Sequence, residues 1–246
     1  MCIVRYCNMS VKLSIVIPVY NEKNTILEIL KKVDQVVLPH CEKEIIIVDD
    51  CSIDGTKEIL KNIANTYKVI FKEKNSGKGA SVKIGIAEAT GDYITIQDAD
   101  LEYDPEDLAA LLAPVLEKKA DISVGSRVLF NGPNNYRTGW SHPHPLTYLG
   151  NKLIITSINL LYNRRGTDFF SCYKIIPRQL MAHVPIEANG FAYDIELLCK
   201  LFRKGLNIIE VPIHYNPRTF AEGKKIRYRD GLVVLWTILK WRIKTY

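Results

Sequence analysis

The stretch Glu44-Ile45-Ile46-Ile47-Val48-Asp49-Asp50-Cys51-Ser52-Ile53-Asp54-Gly55-Thr56 decides how the chain is read. Ile45 to Val48 are all β-branched, which suits a strand buried on both faces. The run ends on two aspartates. Asp54-Gly55-Thr56 then supplies a turn and a cap, and an amphipathic stretch follows over Thr56–Ala64. A doubly buried strand followed at once by a helix is the repeating unit of a parallel sheet.

The same alternation extends both ways. Apolar, β-rich runs occur at Leu13–Val19, Lys68–Phe71, Tyr93–Ile96 and Asp121–Val124. Amphipathic stretches lie between them at Thr25–Val33, Ala80–Ala89 and Pro105–Glu117. Asp104-Pro105-Glu106 reads as an N-cap with proline at the first helical position. The second half predicts helices over Leu146–Tyr162, Tyr193–Phe202 and Tyr228–Ile243, and strands over Phe169–Ile176 and Ile208–His214. Phe130–Pro145 reads as a loop. The expected fold is α/β, with a mostly parallel, Rossmann-like sheet, helices on both faces and a C-terminal amphipathic helix. Ligands of such sheets bind beyond the C-terminal strand ends. Those ends carry Pro18–Glu22, Asp49-Asp50 and Asp98-Ala99-Asp100.

The chain has 246 residues, 47% hydrophobic and 24% charged. That is long enough for a large core and excludes disordered and disulfide-miniprotein classes. No apolar run reaches the roughly 18 residues that a membrane span needs, and the first eleven residues lack a signal-peptide core. The six cysteines form no C-x-x-C pair, which points to a reducing cytosolic setting rather than a zinc or disulfide framework. From Pro217 onward eight basic residues stand against Glu222 and Asp230, so this segment holds the whole net charge of +6. It is expected to meet something anionic: nucleic acid, a membrane surface or a phosphorylated substrate.

Asp98 and Asp100 leave a strand two residues apart, so both carboxylates can turn toward one point. Two hard carboxylates there suit Mg²⁺ or Mn²⁺, with phosphate oxygens completing the shell. Asn75-Ser76-Gly77-Lys78-Gly79 is a glycine-rich turn carrying one lysine, but the full P-loop and dinucleotide patterns both fail. It reads equally as a phosphate contact and as a plain strand-to-helix turn. Arg127, Arg218 and Lys224-Lys225 occupy loop-like positions and have the chemistry diphosphates require. Asp168 is expected to be a cap or a pocket carboxylate.

These residues together resemble a family. Ser14-Ile15-Val16-Ile17-Pro18-Val19-Tyr20-Asn21-Glu22, Ile47 to Thr56, Asn75 to Gly79, and Asp98 to Pro105 are similar, in order, to four motifs of family 2 glycosyltransferases. Leu149-Gly150-Asn151-Lys152, Thr167-Asp168, Cys172-Tyr173-Lys174 and Tyr215-Asn216-Pro217-Arg218-Thr219 resemble its polyprenyl-phosphate branch, which includes dolichyl-phosphate mannosyltransferases. The resemblance covers nearly everything from Lys12 onward. It implies a single GT-A domain over residues 12–227, with a nucleotide-sugar half (12–127) and an acceptor half (128–227), followed by the terminal helix over 228–246.

The resemblance also implies roles. Pro18, Tyr20, Glu22, Val48 and Asp50 would line the nucleoside pocket, and Lys78 would join them on the donor. Asp98, Ala99 and Asp100 would meet the diphosphate, with Asp100 the principal metal ligand. Glu102 falls where the mannosyltransferases often carry glutamine on the metal. Arg127, Arg218 and Lys224 match cationic positions that hold phosphate, and Asp168 an acceptor-side carboxylate. Phe169-Phe170-Ser171 departs from the relatives, which often carry a further acidic or polar residue there.

The implied activity is metal-dependent, inverting transfer of a hexose from a GDP- or UDP-sugar to polyprenyl or dolichyl phosphate. It would occur at the cytoplasmic face, by peripheral contact with a membrane surface or through a membrane-embedded partner subunit, with no role for nucleic acid. At helical spacing Leu232, Leu235, Trp236, Leu239 and Ile243 form the expected membrane stripe, with Trp236 and Trp241 at the headgroup boundary and Arg229, Lys240, Arg242 and Lys244 adding charge. Competing readings are a family 2 transferase acting on a polysaccharide or protein hydroxyl, a sugar-nucleotide pyrophosphorylase, and a catalytically silent scaffold subunit.

Overall fold

The computed structural model describes residues 11–130, 145–218 and 228–246. Strands β1 (Val11–Val19), β2 (Cys41–Asp49), β3 (Lys68–Phe71) and β4 (Tyr93–Ile96) alternate with helices α1 (Ile26–Gln35), α2 (Thr56–Ile63) and α3 (Lys78–Ala87). Then come α4 (Asp107–Leu116), β5 (Ile122–Ser126), α5 (Pro145–Tyr162), β6 (Lys174–Pro177), α6 (Arg178–Ala182), α7 (Tyr193–Arg203), β7 (Ile208–Pro212) and α8 (Tyr228–Ile243). The strands form one seven-stranded sheet in the order β3-β2-β1-β4-β6-β5-β7.

Only β6 runs against the rest: it pairs antiparallel with both β4 and β5, and all other pairs are parallel. Six strands therefore end at one edge. The reversal of β6 brings the residues leading into it to that same edge. The chain builds outward from β1 to β2 and β3 and then returns to place β4 on the other side. The crevice between β1 and β4 is thus the switch point where such sheets bind ligands.

Both faces of the sheet are buried, as the β-branched runs require. Along β1, Leu13, Ile15, Ile17 and Val19 enter one core layer with Ile26, Ile29, Leu108 and Leu111 from α1 and α4. Val16 points into the opposite layer, which holds Val82 of α3, Ile158 of α5, Leu198 of α7 and Ile238 of α8.

Three expectations shift. The strand predicted over Phe169–Ile176 is regular only from Lys174. Upstream, the side chains of Asp168 and Ser171 accept the Phe170 and Tyr173 amides at 3.0 and 3.1 Å, local bonds that compete with a ladder. The last strand stops at Pro212, one residue before the Ile213 amide makes a final bond to the Ser126 carbonyl at 3.2 Å. Asp104 does accept the Glu106 amide at 3.2 Å, but the regular helix begins at Asp107.

The terminal helix is not amphipathic in the expected sense, because it is apolar on two sides. Val234, Thr237, Ile238 and Trp241 face the core, so Trp241, 1% exposed, is no headgroup residue. Leu232, Trp236, Leu239 and Ile243 lie exposed on the other side, and Leu235 is half-buried. Lys240 and Lys244 both pair with Glu187, at 2.8 and 2.6 Å.

Candidate active site

The ends of β1 and β2 are braced against each other. Asp50 donates its amide to the Val19 carbonyl at 2.8 Å, and Asn21 and Glu22 donate theirs to the hydroxyls of Ser52 (3.0 Å) and Thr56 (2.9 Å). The Asp50 carboxylate accepts the Ser76 and Gly77 amides at 2.9 and 2.8 Å and pairs with Lys72. This carboxylate thereby fixes the glycine-rich turn. Gly77 has φ +95°, and a Cβ on it would lie 2.6 Å from the Asn189 carbonyl oxygen; one on Gly79 would lie 2.7 Å from that of Ala188. Glycine is required there by the close approach of the 188–190 backbone.

The turn delivers Lys78, the first residue of α3, to the end of β4. Its Nζ lies 2.5 Å from Asp98 Oδ1. Burial alone would lower the lysine pKa, but Asp98 outweighs it and holds the ammonium above its ordinary value. The glycine-rich turn thus sets its lysine against a strand-end carboxylate. Arg218 reaches the same edge. Its guanidinium donates to Glu22 at 2.9 Å and to the Asp100 carbonyl at 2.8 Å, and lies 3.7 Å from Asp100 Oδ2.

Glu102 faces elsewhere. Its two carboxylate oxygens accept the Arg218 amide (2.8 Å) and the Tyr215 hydroxyl (3.0 Å). Val48 and Ala99, expected in the nucleotide pocket, are buried among core residues. Pro18 and Tyr20 are half-buried at the crevice. Lys224 and Lys225 lie outside the described residues, as does most of the predicted 130–145 loop.

Arg127 and Asp168 form a bidentate pair: Nε to Oδ2 at 2.6 Å and Nη2 to Oδ1 at 2.9 Å, with the Arg127 amide adding 3.1 Å to Oδ2. Burial alone would raise the Asp168 carboxyl, but the guanidinium and two backbone amides hold it below the usual carboxylate range. The Tyr215 ring lies 4.8 Å from the guanidinium carbon, and Tyr103 and Tyr215 rings pack at 5.1 Å. Behind the pair, Glu210 on β7 accepts the Thr167 and Asp168 amides, each at 2.8 Å. A cleft of about 210 Å³ opens here, lined by Arg127, Asp168, Thr167 and, from α5, Asn151, Lys152 and Ile155.

The fold thus gathers Glu22, Asp50, Lys78, Asp98, Asp100, Arg127, Asp168 and Arg218 along one edge. Sequence reasoning missed Lys72, Tyr103, Tyr215 and Glu210. Lys72 carried a usable signal, since it ends a strand beside the glycine turn. The aromatic plate and Glu210 carried none. It also missed the buried Lys174–Asp194 pair at 2.8 Å.

Among the described residues no three His, Cys, Asp or Glu side chains group tightly enough to hold a metal alone. Asp98 and Asp100 are two hard oxygen donors, each now beside a cation. That set fits a divalent ion completed by phosphate oxygens, since Mg²⁺ is commonly bound through one or two carboxylates plus substrate.

Comparison with known proteins agrees. The sequence profile of Glycosyl transferase family 2 matches residues 14–184. The dolichol-phosphate mannosyltransferase of Pyrococcus furiosus is 30% identical over 215 residues, covering 87% of this chain and 59% of the relative. The low-salt glycan biosynthesis hexosyltransferase Agl6 of Haloferax volcanii is 29% identical over 219 residues, covering 89% and 51%. The chain therefore spans between half and three-fifths of these curated relatives. Among solved structures, glucosyl-3-phosphoglycerate synthase from Mycobacterium tuberculosis in complex with Mg²⁺ and UDP superposes with a TM-score of 0.71 at 21% identity, covering 94% of this chain and 79% of that one. Its complex with Mn²⁺, UDP and phosphoglyceric acid gives the same score at 96% and 80% coverage. At that identity the likeness carries the fold, which is GT-A. The chain, with its sheet, its strand-end carboxylates and its matched profile, belongs to glycosyl transferase family 2.

Proposed function

We propose that residues 12–227 transfer a hexose, mannose or glucose, from a GDP- or UDP-sugar to a polyprenyl or dolichyl phosphate, with inversion at the anomeric carbon. The observation that carries this reading is the position of the Arg127 cleft. It is lined by the Arg127–Asp168 ion pair and by Lys152, and it lies against α5, which exposes Leu149, Leu153 and Leu160. A phosphate headgroup on an apolar tail needs that juxtaposition. A sugar hydroxyl does not.

The chemistry is consistent with an acceptor that arrives ionised. The carboxylates of Glu22, Asp50, Glu102, Asp168 and Asp194 each accept from a cation, hydroxyl or amide in this structure. A phosphate oxygen needs no proton removed before it attacks. Asp98 and Asp100 would hold Mg²⁺ or Mn²⁺, which supplies positive charge to the departing nucleoside diphosphate. Lys78 and Arg218 flank those carboxylates and add preorganised charge where it develops. Arg127, locked by Asp168, faces the cleft and orients the incoming phosphate. Asp168 positions the guanidinium rather than moving a proton. Nucleoside diphosphate release should rise with polyprenyl phosphate and stay near background with free sugars; the opposite preference would favour the hydroxyl-acceptor reading.

Arg218→Ala is expected to lower turnover roughly 10²-fold, the scale for removing one charge-stabilising donor. Arg218→Lys should recover little, because an ammonium cannot bridge Glu22 and the Asp100 carbonyl as the planar fork does. Full activity with lysine would refute the role.

Among the described residues no helix is long and apolar enough to cross a membrane. We infer contact with the cytoplasmic membrane surface through the apolar faces of α5 and α8. Vesicles of anionic lipid should float the protein at low salt and release it as salt rises, each basic residue near the surface contributing about 1 kcal/mol. Trp236→Glu with Leu239→Glu should abolish flotation, since both side chains are exposed and the folded core is untouched. If the parent protein does not float, direct contact is wrong and a membrane-embedded partner subunit takes its place.

A further inference from the structure

We propose that Glu102 is a positioning residue that sets the guanidinium groups of both Arg218 and Arg127, and not a ligand of the metal. The family resemblance would place it on the ion. The geometry turns it toward the segment 215–218 instead.

Three bonds make the clasp. Glu102 Oε1 accepts the Arg218 amide at 2.8 Å, Oε2 accepts the Tyr215 hydroxyl at 3.0 Å, and the Glu102 carbonyl accepts the Asn216 amide at 2.8 Å. A single β-bridge between Tyr103 and Tyr215 holds the segment in the same register. Turning the carboxylate toward an ion beside Asp100 would break both side-chain bonds.

With its amide fixed, Arg218 lays its guanidinium on Glu22 and on the Asp100 carbonyl. With its hydroxyl fixed, Tyr215 lays its ring against the Arg127 guanidinium at 4.8 Å. One carboxylate thus governs the donor-side cation through the backbone and the cleft cation through an aromatic face. Glutamate can accept at two oxygens at once, whereas glutamine has one accepting oxygen.

The kinetic consequence rests on the transferase reading, so the test has two arms that do not. In the first, backbone hydrogen exchange over 213–218 is compared in the parent, Glu102→Ala and Asp100→Asn. The clasp requires faster exchange in Glu102→Ala, and unchanged exchange there overturns the proposal. In the second, Mn²⁺ affinity in the presence of UDP or GDP is read from the signal of free Mn²⁺. Glu102→Ala should stay within about twofold of the parent while Asp100→Asn loses binding; a tenfold loss in Glu102→Ala makes it a ligand and overturns the proposal. Should the parent bind no Mn²⁺, the metal reading fails and the exchange arm still decides the clasp. Where transfer is measurable, Glu102→Ala should lower kcat/KM about 10²-fold, the scale of a misplaced reacting group. Glu102→Gln should restore part of it, and the loss should be less than additive with Arg218→Ala.

Discussion

Asp100→Asn is expected to lower nucleotide-sugar turnover by about 10³-fold, the upper range for removing one preorganised electrostatic group, while leaving the fold intact. The side chain is a quarter exposed, and its one short described hydrogen bond accepts the Glu102 amide at 3.1 Å, which an asparagine oxygen can still do. What asparagine cannot do is supply a hard anionic oxygen to a divalent ion. Thermal unfolding should therefore move little, and metal-dependent binding of the nucleotide should vanish. Turnover comparable with the parent would remove Asp100 from the reacting centre, and with it the assignment of the β4 end as the metal edge.

Asp168→Asn has a different expected effect, on stability first. Asp168 is 1% and Arg127 7% exposed, and they hold each other through two side-chain bonds. Asparagine keeps the shape but leaves a buried guanidinium without its counter-charge, a loss of about 3–5 kcal/mol. The pH dependence has a definite sign. The folded carboxyl lies below its ordinary value of about 3.9, so its contribution is complete above that pH and is lost as pH falls through the lower folded value. The gap between parent and variant in denaturant unfolding should therefore be widest near neutrality and close under acid conditions. Arg127→Met with Asp168→Leu should regain much of the stability and none of the transfer, because an apolar pair can replace a buried ion pair in packing but not in phosphate binding. A stability change below about 1 kcal/mol in Asp168→Asn would contradict the locked pair.

The parts of this molecule that were legible in its sequence follow simple periodicities. Ile45 to Val48 announce a strand with no wet face, and Asp49-Asp50 and Asp98-Ala99-Asp100 mark the ends where a parallel sheet binds its ligands. The reversed strand β6 was legible only as a strand. Its direction depends on which edge of β4 stands open, a long-range fact. Residues 169–173 read as extended because they are apolar and aromatic, but Asp168 and Ser171 capture their amides locally. On the terminal helix the periodicity found an apolar stripe that is largely exposed. It could not find the second face, where Trp241 lies over the buried Lys200 ammonium at 3.5 Å, since that contact joins α8 to α7 across 41 residues. The carboxylates of the site were readable because acids at strand ends are conspicuous. Their counter-charges were less so: Lys78 reads equally as a phosphate contact and as part of a plain turn, and only the fold pairs Lys72 with Asp50 and Lys78 with Asp98.

The most direct measurement is the fate of the sugar. The protein is incubated with radiolabelled GDP-mannose, and separately UDP-glucose, in detergent micelles containing polyprenyl phosphate and Mn²⁺, and the mixture is extracted into organic solvent. Label is expected in the organic phase with one of the two donors, as a glycosyl phosphate inverted at the anomeric carbon, lost on chelation of the metal and absent with Asp100→Asn. Label that stays in the aqueous phase on a hydroxyl acceptor, with none on the lipid, would contradict transfer to a polyprenyl phosphate.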